Sequence, residues 1–252
     1  MIEKFSICPI CKVNPADKTN CHIIPWFIIK KSSTKEGVGI RGMETQYTIT
    51  PDEKTKLYLG QGILPETIEE YVNNESLDQE KENTAAVDYL FCTSCEKYIG
   101  ELESIFAQAF PDKKFEKILI EKDFSIVENA KISYTIYELF IQSIFFRCGI
   151  TNSIGFKIAP EVLDSLQKNL CFFVHNTSLE RVTPSLDIEL PRKVPVFASR
   201  FFEDNGKDPT EYFTSTLHSK LPYFIYADRW QFYLFAKQKN LKSDYEHLFG
   251  LS

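Results

Sequence analysis

The chain of 252 residues carries 35 Asp and Glu against 29 Lys and Arg, a net charge of −6 that argues against unspecific coating of nucleic acid, an affinity dominated by phosphate contacts. A local basic patch, or delivery by a partner, stays compatible with that balance. A hydrophobic share of 43% supports a real core in one large or two modest domains, and 21 Phe with 12 Tyr predict that rings fill it.

Taken in chain order, the first feature is Cys8-Pro9-Ile10-Cys11, followed by Cys21-His22-Ile23-Ile24-Pro25. A second pair, Cys92-Thr93-Ser94-Cys95, comes much later and is followed at once by Glu96. Two CxxC pairs across a long insert have the spacing of a four-thiolate zinc site, because each pair sets two sulfurs on one tight knuckle. Structural zinc held by Cys8, Cys11, Cys92 and Cys95 is the expectation. The competing readings are a redox-active CxxC or cysteines that are simply small buried residues. Cys21, Cys148 and Cys171 have no evident disulfide partner, which points to a reducing cytoplasm.

Trp26 to Ile29 is an apolar segment that should pack the module, and Lys30 to Lys35 reads as a solvated basic loop or as a phosphate-facing edge. Gly37, Gly39 and Gly42 punctuate the insert at 37–88. Within it, residues 47–50 and 56–59 alternate like a hairpin around Pro51-Asp52, residues 67–71 suit a short helix, and 73–83 read as a mobile polar loop. After the second pair, Thr93 or Ser94 can cap a helix with Tyr98, Ile99, Leu102, Ile105, Phe106 and Ala109 on one face. Its opposite face carries Glu96 and Glu103, and Pro111-Asp112 ends it.

With those residues in view, the N-terminal part resembles the HNH (ββα-metal) endonuclease family in its zinc-stabilised form. It looks closer still to a subset in which the run reads Ser-His-Ile-Ile-Pro and glutamate follows the second knuckle. The resemblance covers residues 1 to about 110 and rests on some twenty positions. It implies that His22 is the general base, that Glu96 stands where the family has its last metal-binding histidine, and that Cys21 stands where it has an acidic metal ligand. Asn83 is the nearest candidate for the asparagine that orients the base. It further implies a catalytic Mg²⁺ or Mn²⁺ between the helix and the strand bearing His22. A carboxylate at Glu96 suits such an ion, whereas a thiol at Cys21 is a poor ligand for magnesium. Read without the family, His22 is also a zinc ligand or a hydrogen-bonded histidine, Glu96 a residue favoured by the helix dipole, and Cys21 a small buried side chain.

Beyond the charged turn at 113–115 the pattern changes. Residues 117–127 alternate weakly like one strand, and 132–148 form an intensely apolar helix ended by Gly149. Arg147 within it reads as a structural salt bridge or, second, as a phosphate clamp. Pro160 to Leu170 suits another helix, and 194–202, 212–217, 223–226 and 230–235 read as strands, the last two as a hairpin at Ala227-Asp228-Arg229. His175, His218 and His247 lack ligand spacing and are read as structural or exposed. The start, Met1-Ile2-Glu3-Lys4, does not look like a signal peptide, and the apolar run at 223–236 is broken by Asp228, Arg229 and Gln231, so no membrane segment is expected.

The expected architecture is α+β: a zinc-binding HNH-like module at 1–112 with its insert at 37–88, then a mixed helical and β domain at 113–252. The expected function is that of a metal-dependent endonuclease acting on nucleic acid, DNA ahead of RNA. Such a protein would be cytoplasmic, an effector of antiviral defence with a sensor or ATPase partner. The alternative is an inactive zinc-stabilised binding module.

Overall fold

A computed structural model describes residues 5–30, 45–49, 55–60, 62, 78–80, 85–111, 118–120, 125–127, 131–151, 156–200, 214–217 and 222–236. The expectations for Lys31 to Lys35, Gly37, Gly39, Gly42, Pro51-Asp52, 67–71, Asn83, His218 and His247 lie outside the described residues.

Helix α3, Tyr134–Thr151, is buried along almost its whole length, as a run apolar all round requires. Two helices flank it. Helix α2, Thr93–Ala109, turns Ile99, Leu102, Ile105 and Phe106 inward, and α4, Pro160–Asn176, turns Val162, Leu166, Leu170 and Phe173 inward. A four-stranded antiparallel sheet closes the third side in the order β8 (Val196–Arg200), β11 (Trp230–Leu234), β10 (Tyr223–Ala227), β9 (Thr214–Leu217). In β10 and β11 buried and half-buried residues alternate, the period of a sheet with one face on a core. One continuous hydrophobic cluster runs from Cys8 through α2 and α3 to Leu234, across the expected change of domain. The chain is thus a mixed α+β protein, and no helix among its described residues is long and apolar enough to cross a membrane.

The smaller elements sit in the first half. Strand β1, Cys21–His22, pairs antiparallel with β5, Ala86–Val87, and Trp26–Ile29 forms a one-turn helix, α1. The expected hairpin is present as β2, Thr45–Ile49, against β3, Thr55–Leu59. Its other neighbour corrects the sequence reading: Asp78–Glu80, placed in a polar loop, is a strand, β4, parallel to β3. Backbone pairing there does not require apolar side chains, so composition missed it. The single weak strand at 117–127 is two, β6 (Ile118–Ile120) and β7 (Ser125–Val127), paired antiparallel.

Gly149 does not end α3, which continues to Thr151. A β-carbon there would meet Leu163 Cδ1 at 3.0 Å and Ile158 Cδ1 at 3.1 Å, so the glycine serves the close approach of α4. The cap of α2 also differs from expectation. Cys92 occupies it, its Sγ accepting from the Cys95 N–H at 3.4 Å, while Asp17 Oδ1 accepts from both the Thr93 N–H (2.7 Å) and its hydroxyl (3.1 Å).

Residues 184–195 cross α3 and α4 as irregular chain with a turn at 184–185 and a bend at 191–192, and buried side chains bond their backbone in place of a sheet. Asn169 grips Arg192 twice, Nδ2 donating to its carbonyl at 2.9 Å and Oδ1 accepting from its N–H at 2.9 Å. Gln142 donates to the Val194 carbonyl (3.3 Å) and to Glu138 Oε1 (2.8 Å). Glu138 has no cation beside it in this network. Burial therefore raises its carboxyl to about 7, against the opposing pull of the Val194 N–H and Gln142. A carboxyl raised in the fold binds more protons than in the unfolded chain, so its contribution is intact below about 4.5 and is lost as pH climbs to 7. Urea unfolding in zinc buffer should show about 2 kcal/mol less stability from this group at pH 8 than at pH 5, and Glu138→Gln should flatten that difference. An equal slope in both proteins would show that the carboxyl is not perturbed.

Candidate metal centre and the adjoining histidine strand

The first knuckle is a tight loop. The Cys8 N–H donates to the Asn14 carbonyl at 2.8 Å, the Lys12 N–H to the Cys8 carbonyl at 2.9 Å, and Lys12 itself takes a left-handed φ of 59°. The second knuckle is the first turn of α2, where Cys92 and Cys95 lie on one side of the helix start. All four thiols are buried, and their Sγ atoms lie within 4.8 Å of one another. Four sulfurs about 2.3 Å from one zinc ion would stand about 3.8 Å apart. Cys11 Sγ and Cys92 Sγ are 3.9 Å apart, so the donor set fits a tetrahedral zinc ion. Left to themselves, thiols this close share protons. The Cys95 thiol bonding to Cys8 holds Cys8 well below the usual thiol range, and the same bond, with burial, pushes Cys95 up. One dication would replace those shared protons.

Two antiparallel flanks join the knuckles. The Lys18 N–H donates to the Phe91 carbonyl (3.0 Å), the Tyr89 N–H to the Lys18 carbonyl (2.7 Å) and the Ile23 N–H to the Ala85 carbonyl (2.9 Å). Asn20 and Tyr89 both turn in the left-handed region, at φ 56° and 61°. This pairing carries Cys21 and His22 alongside the start of α2. The chain matches no protein-family model, no curated protein and no solved structure. Chemistry must therefore be read from the residues themselves.

Cys21 is fully buried, its thiol directed to the Lys18 carbonyl at 3.6 Å, and burial together with the neighbouring Glu96 carboxylate pushes it up to about 12. It is a neutral thiol at neutral pH. Glu96 is raised as well, by burial first; Arg147 opposes the shift and Glu103 adds to it. Its Oε2 is buried without a hydrogen-bond partner among the described residues. His22 is half-buried, its ring 5.6 Å from that of Trp26.

Arg147 reaches this group from α3. Its Nη1 donates to the His22 carbonyl and to Glu103 Oε1, both at 2.7 Å. The sequence reading of Arg147 as a structural salt bridge is met by this pair. Its partner was not legible, since nothing in the pattern singles Glu103 out from the other acids of α2. His175 is exposed, as expected, with Nε2 3.3 Å from the Cys11 carbonyl, and Gln167 on the same face of α4 donates to the Ile10 carbonyl at 3.0 Å. Both steady the first knuckle from outside. Among the described residues, the four cysteines are the one group of three or more His, Cys, Asp or Glu side chains with ligand atoms close enough to share an ion.

Proposed function

We propose that the cysteine cluster holds structural zinc and that the chain is a metal-dependent endonuclease of HNH type, with His22 as general base. One observation carries the reading: Arg147 Nη1 holds the His22 backbone carbonyl and Glu103 Oε1 at once, with Glu96 close enough to feel the same charge, although His22 stands 74 positions before Glu96 and 81 before Glu103. The orphaned Glu96 Oε2 supports it further. A buried acceptor without a partner costs about 1–3 kcal/mol, and a cation beside it would remove that cost. A divalent ion, Mg²⁺ or Mn²⁺, would supply neutralisation of charge at the scissile phosphate and the leaving oxygen.

The chain's own residues would do the rest. Glu96 would hold the ion through oxygen, the donor such ions prefer. Cys21, neutral and buried, offers it no charge, and would serve instead to fill the space behind Glu96. His22 would take the proton from the attacking water on an imidazole nitrogen, with Trp26 limiting the ring's swing. Substrate is nucleic acid, DNA ahead of RNA. A net charge of −6 suits delivery by a partner, such as the sensor or ATPase of an antiviral defence system.

A second reading, a zinc-stabilised binding module without catalysis, is favoured by the neutral thiol at Cys21, where an active site of this type would hold an acid. Incubation of plasmid DNA and structured RNA with the purified chain in Mg²⁺ or Mn²⁺ separates the two. Cleavage that falls at least a hundredfold in His22→Ala, at equal zinc content, is the expected result, because a general base contributes about 10²–10⁴-fold. Cleavage undiminished in His22→Ala removes the histidine from the mechanism, and no cleavage by the native chain favours the binding module.

A further inference from the structure

Arg147 is among the largest fully buried side chains of the described residues, and all three nitrogens of its guanidinium donate hydrogen bonds. Nη1 divides its two hydrogens between the His22 carbonyl and Glu103, Nε donates to the Ser143 carbonyl at 3.2 Å, and Nη2 reaches Ser143 Oγ at 3.4 Å. The two Ser143 contacts, one turn back on α3, fix the plane of the fork. What the fork then holds is specific: a backbone carbonyl of β1 and a carboxylate two turns along α2 from Glu96. The side chains of Arg147 and Glu103 are 1% and 21% exposed. A buried ion pair is a poor source of net stability, since apolar residues of like volume often do as well. What the bond to the His22 carbonyl adds is placement: it ties the backbone that carries the histidine to the same guanidinium that holds Glu103 of α2.

We propose that Arg147 is a positioning residue: from the part of the chain beyond the HNH-like module, it sets where His22 stands relative to the carboxylates of α2. Its kinetic consequence rests on the endonuclease reading; its structural consequence rests on the geometry alone. The zinc-binding part therefore does not complete its own site, because α3 supplies the group that joins the histidine strand to the helix.

The test pairs Arg147→Met with Glu103→Met in one full-length chain, which removes both members of the ion pair together. Zinc content and melting temperature are measured first, then kcat and KM for plasmid cleavage. In parallel, the imidazole resonances of ¹³C-histidine protein are recorded, with His22 assigned from His22→Gln. The expected result is a folded, zinc-loaded protein whose kcat is down tenfold or more at a KM within twofold of native, and whose His22 resonance is shifted or doubled. Native kcat with an unmoved His22 resonance would overturn the proposal and leave Arg147 as part of an ion pair only, while the endonuclease reading stood. Should the native chain not cleave, that reading fails, and the His22 resonance alone decides the positioning. Arg147→Lys is the second variant if the pair fails to fold; keeping the charge but losing the planar fork, it should move the same resonance, and an unmoved one is again fatal.

Discussion

Cys95→Ser is expected to take the metal content from one zinc per chain to none and to destabilise the protein more than any other single substitution. Serine at 95 keeps the backbone N–H that bonds Cys92 Sγ and loses only the thiol of the cluster, so the effect reports on the metal. Without the ion, the first knuckle and the start of α2 are joined by short backbone pairings, by Asp17 bonded to Thr93 and by Asn14 reaching Cys92 Sγ at 3.8 Å. Structural zinc contributes on the order of 10–16 kcal/mol of binding free energy in small zinc domains, and that free energy is folding free energy. Zinc by elemental analysis and unfolding by circular dichroism check it, and chelator should reproduce the effect on the native chain. Cys148→Ser, outside the cluster, should keep its metal. Zinc retained at one per chain in Cys95→Ser would show that the four thiols are not the ligand set.

Phe106→Ala should cost about 4 kcal/mol and lower the melting temperature by roughly 8–16 °C. Phe106 is fully buried and sits where α2, α3 and the sheet meet. Its ring centroid lies 3.8 Å from that of Phe140, 4.6 Å from Phe110 and 5.2 Å from Trp230, with Phe27 of α1 at 6.3 Å. Truncation removes the shared partner of all four, and side chains anchored on three different elements cannot all move in to fill the gap. Phe106→Leu should lose much less. A penalty below about 1 kcal/mol for the alanine variant would mean that the site collapses freely and the ring cluster is not a fixed core.

What could be read from the sequence was local chemistry and period. The cysteine spacing identified the cluster because two knuckles of this geometry have few other uses, and the helical stripe of α2 appeared nearly residue for residue because burial imposes its period directly. The elements that were missed are held by partners distant in the chain. The irregular run at 184–195 is fastened by Asn169 and Gln142, so nothing in its own composition predicts an ordered path. Cys92 displaced Thr93 as the cap because the knuckle had already set its sulfur over the first turn, and the hydroxyl of Thr93 was taken by Asp17. The same distance hid the Arg147 fork. A lone arginine in an apolar helix announces that a partner exists, not that it is Glu103 and a carbonyl on β1.

The pairing of residues 18–23 with 85–91 has a topological meaning. Ala85 and β5 lie beside β1, so the chain on either side of the long insert is clasped together by β1, β5 and the two knuckles. Closing a loop costs only about 0.6 kcal/mol more for each doubling of its length. The clasp is thus nearly indifferent to how much chain it spans, and new sequence can be spliced between its ends with little effect on the histidine strand or the thiols.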